Sequence, residues 1–246
     1  MKRRLSLFCV VVSALALAQK APGQPTDTTS SLFYLPVAVH TPGLFGSFFK
    51  THVAFYNATS TRFPLQVTLY DSSGTPRHAT FELGPNQSMA YADFVDEVFH
   101  FTGAGTVKFD TGNAANHIAL SAEVYTNGPC GDYGTDVRAV SSTLSAAEAI
   151  SPGVTNNGGQ RTNVACFNGS TSANHVVVDV FDQENHLVQS FPVDLPGNAW
   201  RQVALSAFVE GGYVRFHPSA PAYCYAVVVT NLTNDGRFIP GQVFNP

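Results

Sequence analysis

The stretch Lys50-Thr-His-Val-Ala-Phe-Tyr-Asn57 returns as Arg161-Thr-Asn-Val-Ala-Cys-Phe-Asn168. The offset from Asn57 to Asn168 is 111 residues, and it holds to Asp71 and Asp182 without a gap. A chain that repeats itself at this scale builds one unit twice, so the repeat constrains the fold more than any single motif. Each copy reads as a strand, a Ser/Thr-rich turn and a second strand. Leu65, Val67 and Leu69 alternate along that second strand, and Val176, Val178 and Val180 do the same one offset later. Alternation at period two marks a half-buried strand.

Further matches keep their order. Leu83-Gly-Pro-Asn86 corresponds to Leu195-Pro-Gly-Asn198, and Asp93-Phe-Val95 to Ala207-Phe-Val209. Thr106-Val-Lys-Phe109 corresponds to Tyr213-Val-Arg-Phe216, and Ala122 to Asn127 corresponds to Ala226 to Asn231. The length differences fall in turns, where they cost little. Pro36 in the first strand, Leu32 to Val39, implies an edge or a bulge. Asp93 to Phe99 is the one expected helical turn, with Asp93 as its cap. Short strands at this spacing, with turn signals between them, predict an all-β antiparallel fold of two tandem sandwiches.

The Thr-x-Val-Ala-x-x-Asn strand, the following strand ending in Asp, the Leu-Gly-Pro or Leu-Pro-Gly turn and the closing Val-x-Thr-Asn strand resemble tandem immunoglobulin-like β-sandwich modules of exported bacterial proteins. The resemblance covers residues 32–246 and implies a fold, not an activity.

The chain opens with Lys2, Arg3 and Arg4, an apolar run from Leu5 to Leu17, and Ala16-Leu17-Ala18. This is the pattern of a secretory signal peptide over residues 1–18, too short to span a membrane. Residues 19–31 read as a disordered lead-in, residues 32–145 as the first β-sandwich domain and 146–246 as the second. A secreted or periplasmic location follows. Formal net charge is −4, and the first eighteen residues carry three basic residues and no acid, so the remainder stands near −7. That balance gives no electrostatic attraction to nucleic acid or to an anionic membrane, and no second apolar run is long enough for a membrane span.

Cys166 stands where the first copy has Phe55, and Cys224 where it has Leu120. Two core positions changed to Cys together point to a Cys166–Cys224 disulfide, which export permits; two buried free thiols are the alternative. Cys130 lies in a Gly-rich loop as an odd cysteine. The eight histidines show no His-x-x-x-His pair, and Asp71-Ser-Ser-Gly74 and Asp182-Gln-Glu-Asn185 lack the calcium-loop pattern, so no metal and no cofactor is expected. There is no Gly-x-Ser-x-Gly and no phosphate loop. Asn57, Asn168 and Asn231 match the glycosylation acceptor, but turn chemistry explains them equally well.

These readings lead to an exported, non-catalytic structural or protein-interaction protein, with no catalytic residue to name. The alternative is a carbohydrate-binding module that stacks loop aromatics on a glycan, with Trp200, Phe45, Phe48 and Tyr133 as candidate ligand or interface residues. Those rings could equally pack between the domains.

Overall fold

The structure, a computed structural model, describes residues 31–243 apart from 114, 130 and 142. The expected signal peptide, all but the last residue of the lead-in, and Cys130 lie outside the described residues.

The described chain is antiparallel β-structure with one short helix. The first half holds β1 (Leu32–Pro42), β2 (Phe48–Asn57), β3 (Phe63–Tyr70), β4 (Pro76–Leu83) and β5 (Ser88–Tyr91). Helix α1 (Phe94–Phe99) comes next, then β6 (Gly103–Asp110), β7 (Ile118–Gly128), β8 (Gly131–Asp136) and β9 (Val140–Ser141). The second half holds β10 (Ala149–Asn156), β11 (Gln160–Asn168), β12 (Asn174–Phe181), β13 (Leu187–Leu195) and β14 (Trp200–Ala204). It ends with β15 (Val209–Pro218), β16 (Ala222–Thr230), β17 (Gly236–Pro240) and β18 (Gln242–Val243).

The pairing orders correspond strand for strand. The first half pairs β4-β3-β6-β1-β9 in one layer and β5-β2-β7-β8 in the other. The second half pairs β13-β12-β15-β10-β18 and β14-β11-β16-β17. In the first half β1 joins both layers. It runs against β6 with a register shift between Leu35 and Ala38, then reaches β2 through Thr41 and Pro42. The shift brackets Pro36, which has no N–H to give a ladder; β1 then pairs with β6 again from Ala38 to His40 before it crosses to β2.

Local chemistry repeats as the sequence requires. Leu65, Val67, Leu69, Val176, Val178 and Val180 are all fully buried. Asn86 and Asn198 both take positive φ, 53° and 56°, which Asn tolerates better than most residues. Gly74 and Asn185 do the same at 75° and 67°, closing the two Asp-led hairpins. Asn57 and Asn168 are fully buried and pin the turns that follow. The Asn57 amide donates to the carbonyls of Thr61 and Gly84, both at 2.8 Å. The Asn168 amide donates to Ser172 and Pro196 at 2.7 and 2.9 Å. Both nitrogens are spent inside, so neither is presented as a glycosylation acceptor.

The halves diverge before β6 and β15. Phe94 is fully buried on α1, whereas Phe208, its sequence match, is 68% exposed in a connection without a helix. Asp93 sits at the N-cap of α1, but its side chain makes no capping bond. Its carboxylate turns to His40 instead.

Two apolar cores result. One fills the second half with Val164, Cys166, Val178, Phe216, Cys224 and Ala226 among others. The other fills the first half and extends without a break to Ala165, Phe167, Trp200 and Tyr225 of the second. Strands β11 and β16 therefore bury both faces: Cys166 and Cys224 point into one core, Phe167 and Tyr225 into the other.

Candidate functional site

The seam between the halves is where most of the sequence candidates meet. Val164 and Cys166 face the second half's interior, so alternation puts Ala165 and Phe167 on the outer face of β11. That face docks on the first half. The Phe167 ring lies 5.0 Å from Tyr34 and 5.8 Å from Tyr70, centroid to centroid. The Trp200 N–H donates to the Asp71 carbonyl at 3.0 Å. Its indole Nε1 donates to the Tyr225 hydroxyl at 2.9 Å, and that hydroxyl reaches the Pro36 carbonyl at 3.5 Å. Burial removes solvent from the Tyr225 phenol and raises its pKa far above the ordinary value, outweighing the Trp200 bond, which lowers it. Burial likewise raises Tyr34 and Tyr70. These phenols are neutral hydrogen-bonding and packing groups at any physiological pH.

Trp200 is only 6% exposed. Its ring is a seam residue, so the flat open platform that glycan stacking requires is not offered there. Phe45 is the opposite case. It sits in a 3-10 turn, Leu44–Gly46, with φ 58°, and is 70% exposed. Phe48 is partly buried, edge-on to the His40 ring at 4.7 Å. Tyr133 and Phe45 line a groove of about 390 Å³ together with Leu232 from the second half. Leu232 is 91% exposed and Leu44 59%. The structure thus brings Phe45 and Tyr133 together, keeps Phe48 apart and buries Trp200.

Next to this groove lies a larger cavity of about 530 Å³. Val37, Phe49 and Val137 line it from the first half, and Trp200, Val227 and Phe238 from the second. Arg161 is the one charged residue in its lining. Its Nη1 donates to Asn231 Oδ1 at 3.0 Å and its Nη2 to Asn234 Oδ1 at 2.7 Å. The guanidinium carbon is 5.7 Å from the centre of the Phe45 ring. Burial pulls the Arg161 pKa below its ordinary value. Arg161 was visible in the sequence only as the basic residue heading the repeated strand. Its neighbours in space, Asn231 and Asn234, are seventy residues or more away along the chain.

Cys166 and Cys224 are direct cross-strand partners on β11 and β16, with Cα atoms 4.1 Å apart and sulfurs at bonding distance. Their counterparts, Phe55 and Leu120, are direct cross-strand partners on β2 and β7.

Two polar clusters bring together residues far apart in the chain. His40 Nδ1 meets Asp93 Oδ2 at 2.7 Å, and Asp96 completes a trio whose potential ligand atoms lie within 4.8 Å of one another. Asp93 Oδ1 is buried with no hydrogen-bond partner among the described residues. These are the residues that could hold a metal, with Asp96 exposed to solvent. On the outer face of the second half, His217 bridges Glu148 and Asp179, each contact at 3.3 Å. Ser190 Oγ donates to Asp179 at 2.6 Å. The serine is bonded to the Asp179 carboxylate and not to the imidazole.

No protein-family model matches the chain, and no curated protein matches it. Among solved structures the chain is similar at 10% identity to a β-glucuronidase from glycoside hydrolase family 2, with a TM-score of 0.17. The alignment covers 91% of this chain and 27% of that one, so the chain spans about a quarter of the enzyme's length.

Proposed function

We propose that this chain is an exported, non-catalytic protein made of two copies of one immunoglobulin-like sandwich, residues 32–145 and 146–246, that works by contacting a protein partner. Support for the two copies comes from the matched strand orders and from the paired roles of Asn57 with Asn168 and Asn86 with Asn198. The observation that carries the contact function is the apolar rim at one end of the seam. Leu44, Phe45 and Leu232 are all more than half exposed, and two of them wall one groove. Leaving large apolar side chains together in water is unfavourable, and such patches mark interaction sites. The polar clusters are cross-strand contacts on sheet faces or at α1, and the Ser190–Asp179–His217 chain sets no imidazole against the serine.

The test compares the wild-type chain with a Phe45→Ser/Leu232→Ser variant as bait for proteins of the producing cell's exported fraction. A partner retained by the wild type and lost by the variant, with unchanged melting temperature, is the expected result. Equal retention by both defeats the rim as the contact surface. Turnover in a broad hydrolase screen defeats the non-catalytic reading. The carbohydrate alternative now rests on Phe45 and Tyr133. Saturable glycan binding lost in Phe45→Ser would favour it.

A further inference from the structure

We propose that the seam cavity is a binding site for a monoanionic amphiphile of the fatty-acid type, its carboxylate held by Arg161 and its chain lying along the apolar wall. Leu44 lines this cavity and Phe45 lies beside Arg161, so rim and cavity adjoin, but the proposal rests on Arg161 and the apolar wall and stands whether or not the rim contacts a protein. The volume, about 530 Å³, falls within the roughly 300–1,000 Å³ usual for small-molecule sites. The wall is aliphatic and aromatic along most of its length, which favours a hydrocarbon body.

Charge sets the sign of the ligand. Arg161 carries the only charge in the lining, and its named partners are two neutral amides, Asn231 and Asn234. No carboxylate of the described residues forms an ion pair with it. A half-buried guanidinium without a counter-charge has lost part of its hydration, and two neutral amides return only part of it. The two amides fix the fork and leave donor hydrogens over, so the group is pre-positioned to give charge-assisted bonds to an anion. A neutral ligand would leave the charge uncompensated, and a cation would be repelled. The corresponding basic residue in the first half, Lys50, heads a strand outside this lining, so one site per chain is expected.

Trp200 is the only tryptophan in the chain and lines the cavity, so its fluorescence reports occupancy. The experiment titrates the full exported chain with dodecanoate, dodecan-1-ol and dodecyltrimethylammonium, all below their micelle-forming concentrations. Calorimetry gives the stoichiometry. Dodecanoate should bind saturably at one site with a shift in Trp200 emission. The alcohol should bind about tenfold more weakly and the ammonium not measurably. Arg161→Gln should lose about tenfold for dodecanoate and nothing for the alcohol, and Val227→Phe should weaken both by filling the wall. Absence of saturable dodecanoate binding overturns the proposal. So does equal affinity for all three headgroups, or an unchanged dodecanoate affinity in Arg161→Gln. If Arg161→Gln does not fold, Arg161→Lys decides: it must keep the preference for the carboxylate over the alcohol.

Discussion

Gly74 is the residue at which one methyl group should separate the two halves. It closes the Asp71 hairpin with φ +75°, a conformation that costs an L side chain about 1–2 kcal/mol. A Cβ there would also overlap the carbonyl oxygen of Gly197 in the second half. The Gly197 segment is close-packed in turn, since a Cβ added there would overlap the Thr171 carbonyl oxygen. The hairpin must therefore move away from the second half. In doing so it takes the Asp71 carbonyl from the Trp200 N–H, now 3.0 Å away, a bond worth about 1 kcal/mol net. Gly74→Ala should thus cost about 2–3 kcal/mol in all. Gly46 supplies the control: its φ is +77°, and an added Cβ meets nothing within 4 Å. Gly46→Ala should cost only the backbone term, about 1–2 kcal/mol. Urea unfolding gives both free energies, and Trp200 emission in the native state reports the seam. The expected result is a larger loss for Gly74→Ala together with a red-shifted, more solvated tryptophan. Equal losses, with Trp200 emission unchanged in Gly74→Ala, would refute the claim that this hairpin locks the seam.

Burial raises the Asp71 pKa, but bonds from Ser73 and Arg77 outweigh it and leave the carboxyl below its ordinary value. A depressed carboxylate gives stability that is present above the unfolded pKa, near 4, and lost as pH falls through the lower folded value. Acid unfolding followed by circular dichroism should therefore steepen below about pH 4, and Asp71→Asn should flatten that limb while lowering stability at neutral pH. An identical acid limb in the variant would rule out Asp71 as its source. The Cys166–Cys224 bridge closes 58 residues of chain, so a Cys166→Ala/Cys224→Ala variant should lose about 4 kcal/mol in the chain-entropy account. A non-reduced digest should yield the two peptides linked, and both cysteines free in exported protein would sink the bridge.

The sequence carried the strand faces, because side chains alternate with period two whatever the strand later meets. It carried the turns as well: Asn86, Gly74 and their counterparts take their positive φ locally, and Asn57 and Asn168 each bond a carbonyl four residues on. The opposed pair Cys166 and Cys224 was legible through Phe55 and Leu120, since equivalent slots in matched strands face the same core. The His40–Asp93 pair was not, because 53 residues separate its members and the pairing depends on where α1 packs. Trp200 and Arg161 were visible as residues but not as parts of a seam. Tyr56 and Phe167 show why. They occupy the same outward slot of the same repeated strand, yet Tyr56 is 38% exposed and Phe167 is 1% exposed. Alternation decides that a side chain points away from the core of its own half. Whether outward means water or a neighbour depends on a surface far along the chain, and only docking of the two halves turned β11 and β16 into strands buried on both faces.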